Sequence, residues 1–277
     1  MPSTDLIIAA LPLILTMLAT GLVAGVIAGL LGVGGGIVVV PVLEYALRFA
    51  GVPEEWRMHV AVATSLATIV PTSISSARAH DRRGAVDWSL ARAWGPAILL
   101  GALLGSLLAS RTSSAVLSGV FGIVALLAAL NLFLPLDRLR LASQPPRGLA
   151  GSLIGGTIGL ASSMMGIGGG TLSVPSMTLT SQPIHRAVGT AAFFGLLISV
   201  PATIGYLFAR TGTELPWLTV GLVSFVGFAL IAPGSMLTAP LGSRLAHALS
   251  QQWLSRIFGL FLFVVAIRML YRTFAYD

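Results

Sequence analysis

The chain has no cysteine and no lysine, and only 9% of its 277 residues are charged. Without cysteine there are no disulfides, no thiolate nucleophile and no cysteine-ligated metal centre. So little charge could not cover a soluble domain, in which about a quarter of residues are charged. The net charge of +7 comes from arginine alone. These arginines are mostly spread singly over the segments between apolar runs, not gathered into a basic patch, so no nucleic-acid partner is expected. The four histidines and nine acids lie mostly at loops. With no HExxH motif and no paired carboxylates in an apolar run, enzyme chemistry has no candidate residues, and neither a metal nor a cofactor is expected.

What the chain has is apolar length. Hydrophobic residues make up 56%, the mean hydropathy is +0.94, and several apolar runs approach or exceed the ~18 residues read as a membrane span. The runs are continuous and do not alternate, which excludes a β-barrel. The expected fold is an all-α polytopic membrane protein with the lipid bilayer as its main partner. The start, Met1-Pro2-Ser3-Thr4-Asp5, lacks a basic leader, so no cleaved signal is expected and the first span is retained.

Ten apolar segments fall into two sets of five. The first set covers 6–31, 37–50, 59–79, 89–109 and 114–134; the second covers 149–165, 171–181, 187–209, 216–238 and 253–273. The connector 135–147 is polar and proline-rich, and it separates repeats at 1–134 and 148–277. Segments 37–50 and 171–181 reach only about 21 and 16 Å as helices, short of a ~30 Å hydrocarbon core. Each is half of a broken span or a re-entrant arm, and its irregular backbone must face protein or a wet cavity.

A glycine cluster opens each short segment. Gly34, Gly35 and Gly36 precede Pro41; Gly168, Gly169 and Gly170 precede Pro175, an offset of 134 that also relates Gly21 and Gly25 to Gly155 and Gly159. Interrupted helices at matching points of two halves are the sequence mark of a transporter's binding site. A helix beginning after each cluster would offer unpaired N–H groups and a partial positive charge, a seat for an anion that needs no basic side chain. Neither cluster is followed by Lys-Ser/Thr, so a Walker loop is excluded. The expected substrate-binding backbone is therefore Gly34, Gly35, Gly36, Gly168, Gly169 and Gly170.

A second phrase recurs after each arm: His59-Val60-Ala61-Val62-Ala63-Thr64-Ser65 and His185-Arg186-Ala187-Val188-Gly189-Thr190-Ala191. Thr64, Ser65 and Thr190 are expected near the anion. In the first half Ser65, Thr68, Thr72 and Ser76 form a hydroxyl stripe at helical spacing, either donating to an oxyanion or bonding neighbouring helices. The second half has only Thr190, Ser199 and Thr203. His59 and His185 at span entrances read as interfacial caps or as proton-linked gates. Glu44 is the one carboxylate well inside an apolar segment, with Arg48 four residues on as a structural partner and proton coupling as the functional reading. Glycines at four-residue spacing, such as Gly21-Gly25-Gly29 and Gly151-Gly155-Gly159, suit close helix packing. Trp56, Trp88, Trp217 and Trp253 suit interfacial anchors.

Arg82 and Arg83 share a membrane side with Arg138, Arg140 and Arg147, which makes that side cytoplasmic. Arginine placement does not separate parallel from inverted halves. An inverted pair around a midplane site is preferred because it gives alternating access most directly.

The stretch Gly29-Leu30-Leu31-Gly32-Val33-Gly34-Gly35-Gly36 to Pro41, then Ala61-Val62-Ala63-Thr64-Ser65, then His80-Asp81-Arg82-Arg83-Gly84-Ala85-Val86-Asp87-Trp88 resembles the TauE/SafE family of membrane permeases, and the resemblance covers nearly the whole chain. It implies export of sulfite or an organosulfonate such as sulfoacetate, eight full spans plus two arms, and a bacterial cytoplasmic membrane. The residues alone imply only a small anion. A passive anion channel, or a permease for another carboxylate or oxyanion, stays open beside this reading, as does association of copies into a homo-oligomer.

Overall fold

The computed structural model describes residues 4–31, 34–133, 142–212, 214–216, 218–245 and 251–275. They form ten α-helices and one short hairpin. The first five helices are α1 (Thr4–Leu31), α2 (Gly36–Phe49), α3 (Glu54–Asp81), α4 (Trp88–Ala109) and α5 (Ser114–Phe133). The last five are α6 (Gly148–Met165), α7 (Gly170–Thr178), α8 (Ile184–Leu207), α9 (Phe225–Leu245) and α10 (Gln251–Ala275). Among the described residues, six helices are long and apolar enough to cross a membrane. Residues 135–141 of the connector, Trp217 and the side chain of Trp253 lie outside the described residues.

Nine of the ten expected segments fall within a few residues of a helix. The ninth does not: 216–238 was expected, but α9 runs from Phe225 to Leu245. Residues 219–224 instead form a hairpin of β1 (Thr219–Val220) and β2 (Val223–Ser224). Its apolarity has a tertiary use. Leu222 is fully buried and its N–H bonds Tyr206 O, while Gly221, at φ 57°, lies against the carbonyls of Tyr206 and Leu207 at the end of α8. The hairpin thus closes a helix end, which hydropathy alone reads as more span.

α3 and α8 form the buried centre. α3 carries the longest buried stretch, from Met58 to Ile69, and α8 is buried through Ala187–Ala192. The helices around them meet at glycine seams. Gly21, Gly25 and Gly29 of α1 face Ile231, Ser235 and Ala239 of α9, in the same order. Gly101 and Gly105 of α4 face Gly156 and Leu160 of α6, again in the same order. At these positions a Cβ would overlap a facing backbone oxygen, so only glycine permits the approach. α3 and α8 run oppositely: Ser73 meets Gly195, and further on Ala85 meets Gly189. α5 and α10 do likewise, with Gly119 against Thr273 and Gly122 against Leu270.

Candidate functional site

The two glycine breaks touch. A Cβ on Gly34 would stand 3.1 Å from Gly168 Cα, and one on Gly36 would overlap Gly166 O. Gly34 and Gly35 have φ of 75° and 78°, and Gly166 has 70°, a region that side chains rarely adopt. Both crossings sit at mid-helix. Gly34 and Gly36 lie against Ile69 and Ser65 of α3, and Gly169 lies against Ala191, Phe194 and Gly195 of α8.

The chain reaches these points by doubling back. His80 Nε2 bonds Gly29 O at 3.1 Å, so the ends of α1 and α3 lie side by side. By Gly34 the chain has returned to the middle of α3. In the second half Tyr206 Oη donates to Ser163 O at 3.2 Å, bringing the ends of α6 and α8 together before Gly169 returns to the middle of α8. The two bonds occupy matching positions, since Gly29 and Ser163 differ by 134 and His80 and Tyr206 by 126. His80 and Tyr206 escaped the sequence reading because their types differ.

Each arm begins without a side-chain cap. α2 starts after Gly35 and α7 after Gly169, and neither end has a capping side chain. Val38 and Val39 N–H bond Gly35 O, and Ser173 N–H bonds Gly169 O. The N–H groups of the preceding residues have no helical carbonyl within reach. Gly35, Gly36, Ile37, Gly169 and Gly170 are all buried.

Thr64 and Thr190 lie on α3 and α8 in matching bonds. Thr64 Oγ1 accepts the N–H of Ser224 at 2.9 Å, and Thr190 Oγ1 accepts the N–H of Asp87 at 2.9 Å. Ser224 and Asp87 then cap α9 and α4, accepting from Gly227 N–H and Leu90 N–H. Each threonine therefore ties its central helix to a helix start in the other half. Asp87 also accepts from Gln182 Nε2 at 2.7 Å. Burial works against its ionisation, but the Leu90 and Ser89 N–H groups, Gln182 and nearby Arg186 together hold its carboxyl below the usual value.

Ser65 donates to Gly166 O at 2.7 Å and so pins the second break to α3. Of the rest of the stripe, Thr68 donates to Ser65 O and Thr72 to Thr68 O, with Thr72 also sharing a 2.7 Å bond with Ser235 Oγ. Ser76 Oγ and its neighbour Ser73 Oγ are buried without a hydrogen-bond partner, as is Thr171 Oγ1 in the first turn of α7.

Glu44 is fully buried, and its partners correct the expectation of Arg48. It pairs with Arg272 and, at 3.5 Å, with Arg268, both on α10; Arg48 is exposed. Arg272 also reaches Glu54 at 3.2 Å, and Arg268 lies over the Tyr45 ring. The network fastens α2 to α10 beside a cavity of about 570 Å³ lined by Glu54, Glu55, Met58, Ser114 and Arg272. The two histidines differ. His59 is buried, with Nε2 2.7 Å from Thr112 O and Nδ1 3.2 Å from Glu55 O, which ties α3 to the α4–α5 turn. His185 is exposed. Trp56 and Trp88 stay partly or largely open, while Trp94, not among the expected anchors, is fully buried against Phe194.

Long apolar helices around two broken half-helices fit a polytopic membrane protein. Comparison with known proteins gives the family: the family described as Sulfite exporter TauE/SafE matches residues 17–269, and the chain belongs to it. The chain is 34% identical over 258 residues to a "Probable membrane transporter protein" of Haemophilus influenzae, covering 92% of this chain and 97% of that one. It is 30% identical over 279 residues to a "Probable membrane transporter protein" of Xylella fastidiosa, covering 95% and 97%. It is 25% identical over 266 residues to the "Probable membrane transporter protein YunE" of Bacillus subtilis, covering 87% and 92%. No solved structure matches the chain.

Proposed function

We propose that this protein exports a small sulfur-containing oxyanion, sulfite or an organosulfonate, across the cytoplasmic membrane of a bacterium by alternating access. The anion sits where the Gly34–Gly36 and Gly168–Gly170 breaks cross, with Thr64, Ser65 and Thr190 in the surrounding shell. The observation that carries this reading is the meeting of two buried, uncapped helix starts against the middles of α3 and α8. Each contributes N–H donors and a partial positive charge of about half a unit. The sulfur chemistry follows the description of the family.

The halves, 1–134 and 148–277, are read as inverted repeats. Exchanging each of the first five helices for its counterpart turns the α1–α9 seam into the α6–α4 seam and leaves the α3–α8 and α5–α10 pairs in place. Counterparts that touch run oppositely, as inversion requires. Rocking one half against the other would expose the crossing to each side in turn. An interior-negative potential favours exit of a monoanion by about 2.3 kcal/mol per 100 mV, so export needs no coupling ion.

The test is efflux of labelled sulfite and sulfoacetate from proteoliposomes. Saturable efflux with counterflow by unlabelled substrate is expected. Flux that rises linearly with concentration and shows no counterflow would replace the carrier with a channel. No flux of either anion would end the sulfur reading.

A further inference from the structure

The two breaks are not equivalent as seats for a ligand. Beside the first, Ile69 of α3 fills the space: its Cγ2 lies 3.1 Å from where a Cβ on Gly34 would stand, and its Cδ1 2.9 Å from that of Gly36. The matching position on α8, 126 residues on, is Gly195. There, in place of an apolar side chain, the space holds the Ser73 hydroxyl of α3. The position of a Cβ on Gly195 lies 2.5 Å from Ser73 Oγ and 3.9 Å from Gly169 N, so it separates a hydroxyl from the start of α7. Ser73 Oγ is nearer this point than Ser73 Cβ at 3.5 Å, so the hydroxyl points toward Gly195 and the start of α7. Ser73 is 1% exposed and its hydroxyl has no partner; Thr171 Oγ1, on the second residue of α7, is also buried and unpartnered. A buried hydroxyl without a partner is costly unless something else completes it.

We propose that the oxyanion's head group binds on the α7 side of the crossing, held by Ser73 Oγ, Thr171 Oγ1 and the N–H groups of Gly170 and Thr171, and that this seat selects a singly charged head group over a doubly charged one. It rests on the export reading above and deepens it. The charge selectivity follows from the donors, all of them neutral. Among the described residues Glu44 is the one buried Asp, Glu or Arg, and it is already matched by two arginines on α10. The cost of taking an ion out of water grows with the square of its charge, and among the described residues no buried arginine is there to offset the second charge. A sulfonate or bisulfite head suits such a seat, and sulfate does not. Gly195 leaves room for the Ser73 hydroxyl beside the start of α7, where a side chain would displace it.

The test is isothermal titration of the full-length protein in nanodiscs with methanesulfonate and with sulfate. Methanesulfonate is expected to bind at least tenfold more tightly than sulfate. Ser73→Ala and Thr171→Val should each weaken methanesulfonate about tenfold, the scale of one hydrogen bond to an anion. Ser199→Ala, at the position matching Ser73 in the other half, should leave affinity unchanged. Wild-type affinity in both Ser73→Ala and Thr171→Val would overturn the seat while leaving export standing. Equal affinity for sulfate would overturn the charge selectivity. If the wild-type protein binds neither anion, the export reading falls as well.

Discussion

The first five helices and the last five share a backbone plan and differ in side chains. Both double back, both break at glycine, and both tie the central helix to a helix start across the molecule through a threonine. Their polar contents diverge. Glu44 on α2 corresponds to Thr178 on α7, buried His59 to exposed His185, Ile69 to Gly195, and the hydroxyl-rich α3 to an α8 with few hydroxyls. What is kept is what backbone geometry requires; what differs is the set of charged anchors and buried hydroxyls. The α2 arm is fastened by an ion-pair network, whereas the α7 arm starts against Gly195 with the unpartnered Ser73 hydroxyl beside it. In this account the first half supplies the fixed wall and the second the seat.

The crossing should show the largest effect. Gly36→Val and Gly35→Val would drive a side chain into Gly166 O or Ala24 O, and at Gly35 would add a left-handed backbone conformation that costs about 1–2 kcal/mol by itself. Both variants should lose efflux entirely, and thermal unfolding in detergent should show little folded protein. A folded Gly36→Val with full flux would separate the crossing from transport.

Breaking the Glu44 network comes next. Glu44→Gln leaves Arg272 and Arg268 facing a neutral amide, and loss of one partner of a buried pair costs about 3–5 kcal/mol. Part of Arg268 is exposed to solvent, which should keep the loss near the lower end. The matching change Thr178→Val should barely move the melting temperature. Equal losses at the two arms would erase the distinction between a fastened and a free arm.

A smaller effect should compare like with like. Thr64→Val and Thr190→Val each strip the acceptor from a backbone N–H, a loss of about 1–3 kcal/mol. The Ser224 N–H is buried and the Asp87 N–H only partly so, and Thr64→Val should therefore cost more. Denaturant titration of the two variants would rank them, and the reverse order would contradict the burial argument.

The smallest effect depends on pH. Asp87 and Ser224 cap matching helices, but only Asp87 titrates. Because its carboxyl is held below the usual range in the folded protein, its contribution is full above about pH 4, the ordinary carboxylate value, and is lost as pH falls through the lowered value. Asp87→Ser keeps a cap and should flatten that acid limb of the stability curve by up to about 1 kcal/mol. An unchanged acid limb would mean that Asp87 is not its source.

Much of this fold could be read from the chain. The glycine clusters, the prolines five residues beyond them and the apolar lengths located both arms and most spans, because helix length and helix breaks are local properties. The rest required partners distant in sequence. Arg48 is the local partner of Glu44, yet α10 supplies two guanidiniums from more than two hundred residues away. The hairpin at 219–224 is as apolar as a span, and only its seat on the end of α8 distinguishes it. Ser73 falls outside the periodic stripe of Ser65, Thr68, Thr72 and Ser76, and it stands out only because Gly195 lies opposite and its hydroxyl is unmatched.

The most direct measurement is a crystal structure with bromoethanesulfonate bound, its bromine located by anomalous scattering. The account predicts one bromine peak at the glycine crossing, with the sulfonate oxygens against Ser73 and the first turn of α7. A peak confined to the outer cavity beside Glu54 and Arg272, with the crossing still closed around Gly169, would contradict it.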